Sequence, residues 1–104
     1  MELIHGEQFM ISAIVSEFFG TMGYMLAFNM TDEIDFIPLV LFSMVVLTMK
    51  ISGGHINPAV TLGVYIERKK YWQQICFAIT FMIAQLSGAL FALAFAYLLR
   101  VTVP

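Results

Sequence analysis

The sequence predicts an all-α membrane protein with three transmembrane helices and one short re-entrant half-helix. Of its 104 residues, 61% are hydrophobic and only 12% are charged, whereas a soluble domain carries about 25% charged residues. Three apolar stretches approach the roughly 20 residues that a helix needs to cross a bilayer. A fourth apolar stretch is too short to cross and follows a pair of glycines. We therefore expect a single membrane domain over residues 1–104, with the lipid bilayer as its surroundings.

The first and last predicted spans are the longest. Residues 9–30 contain a single charge, Glu17, and a helix of this length extends about 33 Å. That is enough to cross a hydrocarbon core of about 30 Å. Residues 75–99 carry no charge at all. They predict a span that is long enough to cross with some tilt.

A shorter span is predicted over residues 36–51, and it ends beside the basic residues that set the orientation. Lys50 can extend its charge to the headgroups. Lys50 lies at the end of the second span, Arg68, Lys69 and Lys70 fall between the second and third spans, and Arg100 is the one positive charge elsewhere. Because connections rich in Lys and Arg stay in the cytoplasm, we expect this connection and the N-terminus to be cytoplasmic.

The short apolar segment, residues 52–66, predicts a loop that re-enters the membrane and starts a half-helix. Gly53 and Gly54 interrupt the preceding helix. Pro58 suits the first position of a new helix, and Asn57 suits the N-cap, where its side-chain oxygen accepts a backbone N–H. The amide NH2 of Asn57 then faces away from the helix, at the positive end of the helix dipole. An amphipathic helix on the membrane surface is the alternative, but this segment lacks the charged face that such a helix needs.

Several classes of function are disfavoured by composition. Five Lys and Arg against seven Asp and Glu leave no basic patch for nucleic acid. The sequence has no Cys/His cluster with metal-ligand spacing, so we expect no metal and no cofactor. It also lacks a Ser/His/Asp, Cys/His or paired-carboxylate set, which argues against an enzyme.

The segment SGGHINPAVTLG, from Ser52 to Gly63, resembles the first Asn-Pro-Ala loop and half-helix of the aquaporin family of major intrinsic proteins. The stretch from Glu17 to Thr21 resembles the Glu-x-x-x-Thr signature of that family's first helix. Ala84 to Ala89 is similar to the corresponding part of its third helix. The resemblance implies one repeat of the aquaporin-like fold and a channel for passive permeation of water, with glycerol or another small uncharged solute as the alternative.

The resemblance also implies roles for individual residues. Two, Glu17 and Gln85, are expected to support the loop. Glu17 would accept hydrogen bonds from it, with His55 as a partner; a protonated buried acid and a proton-relay residue are the alternatives. His55 itself braces the loop or acts as a pH-dependent gate. Gln85 matches a glutamine that supports the opposite half's loop, so its partner is expected to be missing, unless it makes a simple hydrogen bond between helices.

The expected pore-lining residues are Ile37, Gly54, His55, Ile56, Asn57, Pro58 and Ala59.

Aquaporins contain two inverted repeats, and the resemblance covers one. All copies of this chain share one charge bias and hence one orientation, so a homodimer does not supply the inverted partner. We expect that the sequence is a fragment or that the second half comes from another chain, with a homotetramer as the complete assembly. The alternative function is a non-conducting truncated subunit that assembles with or regulates full-length channels.

Overall fold

The computed structural model describes the backbone of residues 3–102 and the side chains of residues 9–102. Over this range the chain is helical with short connections and extends 51 × 25 × 20 Å. The helices are α1 (Leu3–Met30), α2 (Phe36–Ser52), α3 (Pro58–Arg68) and α4 (Tyr71–Thr102). The part of α1 from Phe9 to Met30 and the whole of α4 are long and apolar enough to cross a membrane, whereas α2 is a shorter apolar helix.

The helices extend beyond the predicted spans. Helix α1 already begins at Leu3, and α4 runs from Tyr71 to Thr102 rather than over residues 75–99. Apolar runs mark the part of a helix that suits hydrocarbon, whereas backbone hydrogen bonding continues into the polar ends. The start of α4 is held in addition by the Tyr65 hydroxyl, which donates to the Tyr71 carbonyl at 2.7 Å. The predicted domain of residues 1–104 reaches beyond the described residues at both ends.

Small side chains form the contact between α1 and α4. Helix α1 packs against both α2 and α4, and α3 packs against α4. A Cβ on Gly88 would lie 2.3 Å from the Phe18 carbonyl oxygen, so glycine allows the two backbones to approach this closely. Small residues recur every four positions along this face of α4, and all of them are buried: Ala84, Gly88, Ala92 and Ala96.

The corresponding stripe on α1 is buried only in part. Ser16 and Gly20 are buried, whereas Ser12 is exposed. Gly20 faces the loop, since a Cβ there would lie 2.7 Å from Ile56 Cγ2 and 2.9 Å from Thr48 Cγ2. This stripe therefore admits side chains from α2 and from the loop, rather than the backbone of another helix.

Large apolar side chains lie on the outside of the bundle. Phe42 on α2 is 69% exposed and Leu90 on α4 is 67% exposed. The fully buried side chains of largest volume are instead polar, Gln85 and Glu17. This distribution is typical of helices in a bilayer, where lipid covers the apolar surface and small or polar residues hold the helices together.

Candidate functional site

The connection between α2 and α3 turns on two glycines. Gly53 ends α2 in the left-handed conformation, with φ of 92°, and its N–H donates to the Met49 carbonyl at 2.9 Å. Gly54 is also left-handed, with φ of 66°, and a Cβ there would lie 3.1 Å from the Val45 carbonyl oxygen. Both positions therefore favour glycine, and together they direct the chain back toward α1.

Ile56 carries the strain of this turn. Its φ is 41°, a conformation that is unfavourable for a β-branched residue and persists only where the surroundings hold it. Two contacts do so. The side chain is 2% exposed, and the N–H donates to Glu17 Oε1 at 2.7 Å. The backbone of the loop is thus tied to the middle of α1.

Glu17 is the acceptor around which the loop is organised. It is fully buried, and a buried carboxylate needs donors that replace water. Oε1 accepts from Ile56 N at 2.7 Å and from Gln85 Nε2 at 2.6 Å, and Oε2 accepts from Ser52 Oγ at 2.5 Å. One side chain of α1 therefore joins the end of α2, the loop and α4.

Gln85 makes hydrogen bonds between helices, the alternative expected for it, and does not lack partners among the described residues. Besides Glu17, its Nε2 donates to Thr61 Oγ1 of α3 at 2.7 Å. Gln85 thus connects α4 to both α1 and the half-helix. Its Oε1 is buried and accepts no hydrogen bond among the described residues.

His55 binds the half-helix instead of Glu17, the partner expected from the resemblance. Its Nδ1 lies 3.0 Å from Thr61 Oγ1, and its ring meets the edge of Phe81 with centroids 5.5 Å apart. Glu17 already receives the backbone N–H of the next residue, Ile56. Since Thr61 Oγ1 accepts from Gln85, its own hydrogen can be donated to Nδ1 of His55.

The start of α3 confirms the predicted cap. Asn57 is extended, with φ of −158° and ψ of 124°, and its Oδ1 accepts from Ala59 N at 2.8 Å. Pro58 occupies the first turn, and the Asn57 carbonyl accepts from Thr61 N at 3.1 Å. The Asn57 side chain is exposed, so its NH2 group remains available as a donor.

The carbonyl groups just before Asn57 are also uncommitted. Among the described hydrogen bonds, none ends on the carbonyls of Gly54, His55 or Ile56. Ala59 is exposed, and Pro58 and Gly54 are half-buried. The loop therefore presents one amide donor and up to three carbonyl acceptors within four residues.

Ile37 does not join this group. It lies in the first turn of α2, and 15 residues at 1.5 Å each place it about 22 Å along the helix from Ser52. Its side chain is half-buried. Of the predicted pore-lining residues, the loop brings together the six from Gly54 to Ala59 and leaves Ile37 apart.

A cavity of about 420 Å³ lies beside the loop, at the end of the bundle where α2 ends and α4 begins. His55 is the one predicted pore-lining residue in its wall. Two cations, Lys50 and Arg68, also line it. The remaining wall combines polar and apolar side chains: Phe9, Met49, Ile51, Ser52, Gly53, Thr61, Val64, Tyr65, Gln74, Phe77, Ala78 and Phe81.

Two hydroxyl residues of the cluster, Ser52 and Thr61, were not predicted from the sequence. Both are buried. Thr61 is an isolated polar residue in an otherwise apolar stretch, and a polar residue in such a stretch faces a protein partner rather than lipid. This signal could have identified Thr61 beside Glu17 and Gln85, whereas Ser52, between Lys50 and His55, carries no such signal.

Residues 35–103, about two thirds of the chain, match the sequence model of the family described as Major intrinsic protein. The chain belongs to the major intrinsic protein family. The resemblance inferred from the loop sequence is thereby confirmed. Family membership and the two long apolar helices indicate an integral membrane protein.

Several curated members of the family are similar to part of the chain. An aquaporin of PIP type from Atriplex canescens is 48% identical over 50 residues, which is 48% of this chain and 17% of the relative. Aquaporin PIP2-7 of Arabidopsis thaliana is 46% identical over 55 residues, 53% of this chain and 19% of the relative. The aquaglycerol porin AQY3 of Saccharomyces cerevisiae is 49% identical over 47 residues, 45% and 7% respectively. The match thus spans less than a fifth of each of these relatives. No solved structure matches the chain.

Proposed function

We propose that the chain is one repeat of a channel through which water or another small uncharged solute passes down its gradient. The observation that carries the proposal is the arrangement at Asn57. The cap bond to Ala59 N holds the amide oxygen, which leaves the NH2 group to donate to a passing oxygen. The uncommitted carbonyls of Gly54, His55 and Ile56 accept the solute's hydrogens.

The electrostatics of the half-helix suit uncharged solutes. The N-terminus of α3 carries the positive end of its dipole, which raises the energy of a cation at this point. Irregular backbone with free carbonyls is tolerated at membrane depth where it lines a water-filled cavity. Glu17 and Gln85 act as positioning residues, because they hold the loop and the half-helix without facing the solute.

The proposed membrane arrangement has three crossings and one re-entrant half-helix. Helix α2, with 17 residues, lies at the short end of the range that can cross a bilayer, about 17–25 residues. The basic residues between α2 and α4 favour a cytoplasmic location for that connection and for the N-terminus. An inverted second repeat, in the same chain or another, would complete the pore, and four such units would form the tetramer.

The names of the relatives support both solute classes. Two are called aquaporins and one is called an aquaglycerol porin. Water is the first candidate here, with glycerol as the alternative. Major intrinsic proteins are channels rather than enzymes, so transport is the activity to test.

The experiment measures the shrinkage of proteoliposomes by light scattering after an osmotic step. The chain is reconstituted alone and together with an inverted repeat from a six-helix relative, and glycerol uptake is followed separately. We expect faster water efflux than in empty vesicles when both halves are present. Unchanged rates with confirmed insertion of both would contradict the channel.

Two substitutions separate the role of the Asn57 amide in permeation from its role as a cap. Asn57→Asp keeps an oxygen for Ala59 N but removes the NH2 donor, whereas Asn57→Ala removes both. Loss of the cap costs about 1 kcal/mol, so the alanine variant should be less stable than the aspartate variant. If the amide donates to the solute, both variants should lose permeability, including the one that keeps its cap.

A second candidate is a non-conducting subunit that assembles with or regulates full-length channels. The exposure of Asn57 and Ala59 favours it, because a single repeat leaves these groups uncovered. Co-purification with a six-helix relative, together with a change in that relative's permeability and none from this chain, would support the second candidate. A chain that stays monomeric beside the relative would argue against it.

A further inference from the structure

The cavity between the end of α2, α3 and the start of α4 combines two cations with an apolar wall. Lys50 and Arg68 line it from different helices. Gln74 and the hydroxyl-bearing Tyr65 add polar groups, and several aromatic side chains form the apolar part: Phe9, Phe77 and Phe81. The three phenylalanines are in contact in series, with centroids 6.2 Å apart for Phe9 and Phe77 and 4.9 Å for Phe77 and Phe81.

Among the side chains that the structure describes, the charge that lines this cavity is positive. Glu67, the acidic residue beside Arg68 in sequence, is exposed and does not line the cavity. Glu17 is fully buried behind the loop and accepts three hydrogen bonds. Lys69 and Lys70 follow in the turn outside the cavity. An anion that enters the cavity therefore meets two cations on its wall and two more nearby.

Aromatic residues place this end of the bundle at the membrane surface. Trp72 is 87% exposed and Tyr71 is 45% exposed, and both follow directly on the basic turn. Tryptophan and tyrosine are enriched at the level of the headgroups. The cavity thus lies at the depth where the phosphate of a lipid would meet Lys50 and Arg68.

We infer that this cavity binds the headgroup of an anionic phospholipid. The phosphate pairs with Lys50 and Arg68, and the first part of an acyl chain lies against Phe9 and Phe77. Basic pockets between transmembrane helices are known to accept lipid headgroups in this way. A small free anion would leave the phenylalanine wall without a partner, so an amphiphile is the occupant that the lining fits. Binding does not depend on conduction and extends beyond the proposed function.

The test is a titration of the full chain with lipid in detergent micelles, in which native mass spectrometry measures the bound lipid. Dioleoyl phosphatidylglycerol is compared with dioleoyl phosphatidylcholine. We expect the anionic lipid to bind at least tenfold more tightly. Equal affinity for both lipids would overturn the inference.

A matched pair of double variants separates the cavity from the general positive charge of the connection. Lys50→Gln with Arg68→Gln removes both cavity cations, and Lys69→Gln with Lys70→Gln removes two charges from the neighbouring turn. Each basic residue near an anionic headgroup contributes about fivefold, so the first pair should weaken phosphatidylglycerol binding about 25-fold. The second pair should change it less than about threefold. Equal losses in both would show diffuse attraction and would overturn the site.

Two further measurements keep the result interpretable. The charge-conserving pair Lys50→Arg with Arg68→Lys should retain tight binding, which assigns the loss in the glutamine pair to the lost charge; loss of binding in this pair would count against a phosphate held by charge. A hundredfold excess of sn-glycerol 3-phosphate, which carries the phosphate without acyl chains, should leave the lipid bound. Displacement would identify a site for a free phosphate-bearing anion and overturn the lipid assignment.

Discussion

Helices α2 and α4 are both apolar but use their side chains in opposite ways. Helix α2 buries two residues, Thr48 and Ser52, and exposes large side chains such as Phe42. Helix α4 buries seven residues, among them Gln85 and Gly88 together with several alanines. Yet α2 is the more hydrophobic of the two. Hydrophobicity therefore does not decide which helix lies at the centre.

This difference between α2 and α4 shows that specific contacts between helices, rather than hydrophobicity, hold the bundle together. In a bilayer, burying an apolar side chain gains little over leaving it in lipid, so close contact between small residues and hydrogen bonds between helices decide the arrangement. Helix α4 supplies both, with Gly88 against the Phe18 carbonyl and Gln85 against Glu17. Helix α2 supplies only Ser52 to the hydrogen bonds around Glu17, packs Thr48 against Gly20 of α1, and exposes large apolar side chains such as Phe42.

The largest effect is expected from Glu17→Ala, which removes the acceptor that joins α4 and α2. The Ile56 N–H would be left without an acceptor, and Ser52 and Gln85 would each lose one of their bonds. An unpaired buried group costs about 1–3 kcal/mol. We expect a loss of roughly 3 kcal/mol or more in the free energy of unfolding, measured by titration from mild detergent into SDS. Glu33→Ala, in the exposed turn, serves as control. A Glu17→Ala chain as stable as the control would show that the cluster does not organise the fold.

A pair of phenylalanines tests the contrast directly. Phe81 on α4 is 2% exposed and Phe42 on α2 is 69% exposed. Phe81→Ala leaves a cavity of roughly 100 Å³, which at about 24 cal/mol per Å³ costs about 2 kcal/mol. Phe42→Ala should cost less than about 0.5 kcal/mol. Equal losses in the same unfolding titration would mean that α2 has a buried face that a single repeat does not show.

Alanine substitutions at two glycines are expected to change stability by intermediate amounts and with opposite signs. Gly88→Ala places a Cβ against the Phe18 carbonyl and should separate α1 from α4, at a cost of about 1–3 kcal/mol. A Cβ at Gly63 on α3 would have no neighbouring atom within 4 Å, so Gly63→Ala should stabilise the helix by about 0.5–1 kcal/mol. Thermal aggregation in detergent measures both. A stabilised Gly88→Ala chain would refute close backbone contact as the cause of the seam.

The smallest effect is expected from Thr48→Val on α2. The Thr48 hydroxyl donates to the Met44 carbonyl of its own helix at 2.7 Å, whereas its methyl group faces Gly20. Valine keeps the methyl group and loses a bond within one helix, so stability should change by less than about 0.5 kcal/mol. A larger loss would indicate that the hydroxyl has a partner outside α2.

Local features of the fold could be predicted because each rests on a few neighbouring residues. Gly53 and Gly54 break the helix, and Asn57 with Pro58 starts the next one. Both expectations depend on backbone conformations that these residues favour. The cap bond from Ala59 N to Asn57 Oδ1 was predictable for the same reason.

Contacts between distant residues were harder to predict. The direction of the His55 side chain depends on three positive φ angles within four residues, at Gly53, Gly54 and Ile56, and a sequence pattern does not give their combination. The resemblance suggested that Gln85 faces an opposite half, yet it donates to Thr61 of α3 in the same chain. Its partners are 24 and 68 residues away in sequence. Predictions of partners failed where they required the relative positions of three helices.

The three donors to Glu17 are synthesised at different times. The chain makes α1 first, and the carboxylate enters the membrane long before Gln85 is added. An unpaired carboxylate in the centre of a single span costs about 2.5–3.5 kcal/mol on the insertion scale. The first span should therefore enter the bilayer as a poorly anchored intermediate, which becomes secure as Ser52, Ile56 and finally Gln85 reach it. Secure integration of α1 then depends on α4, and chains halted before Gln85 would be the ones most exposed to quality-control proteases.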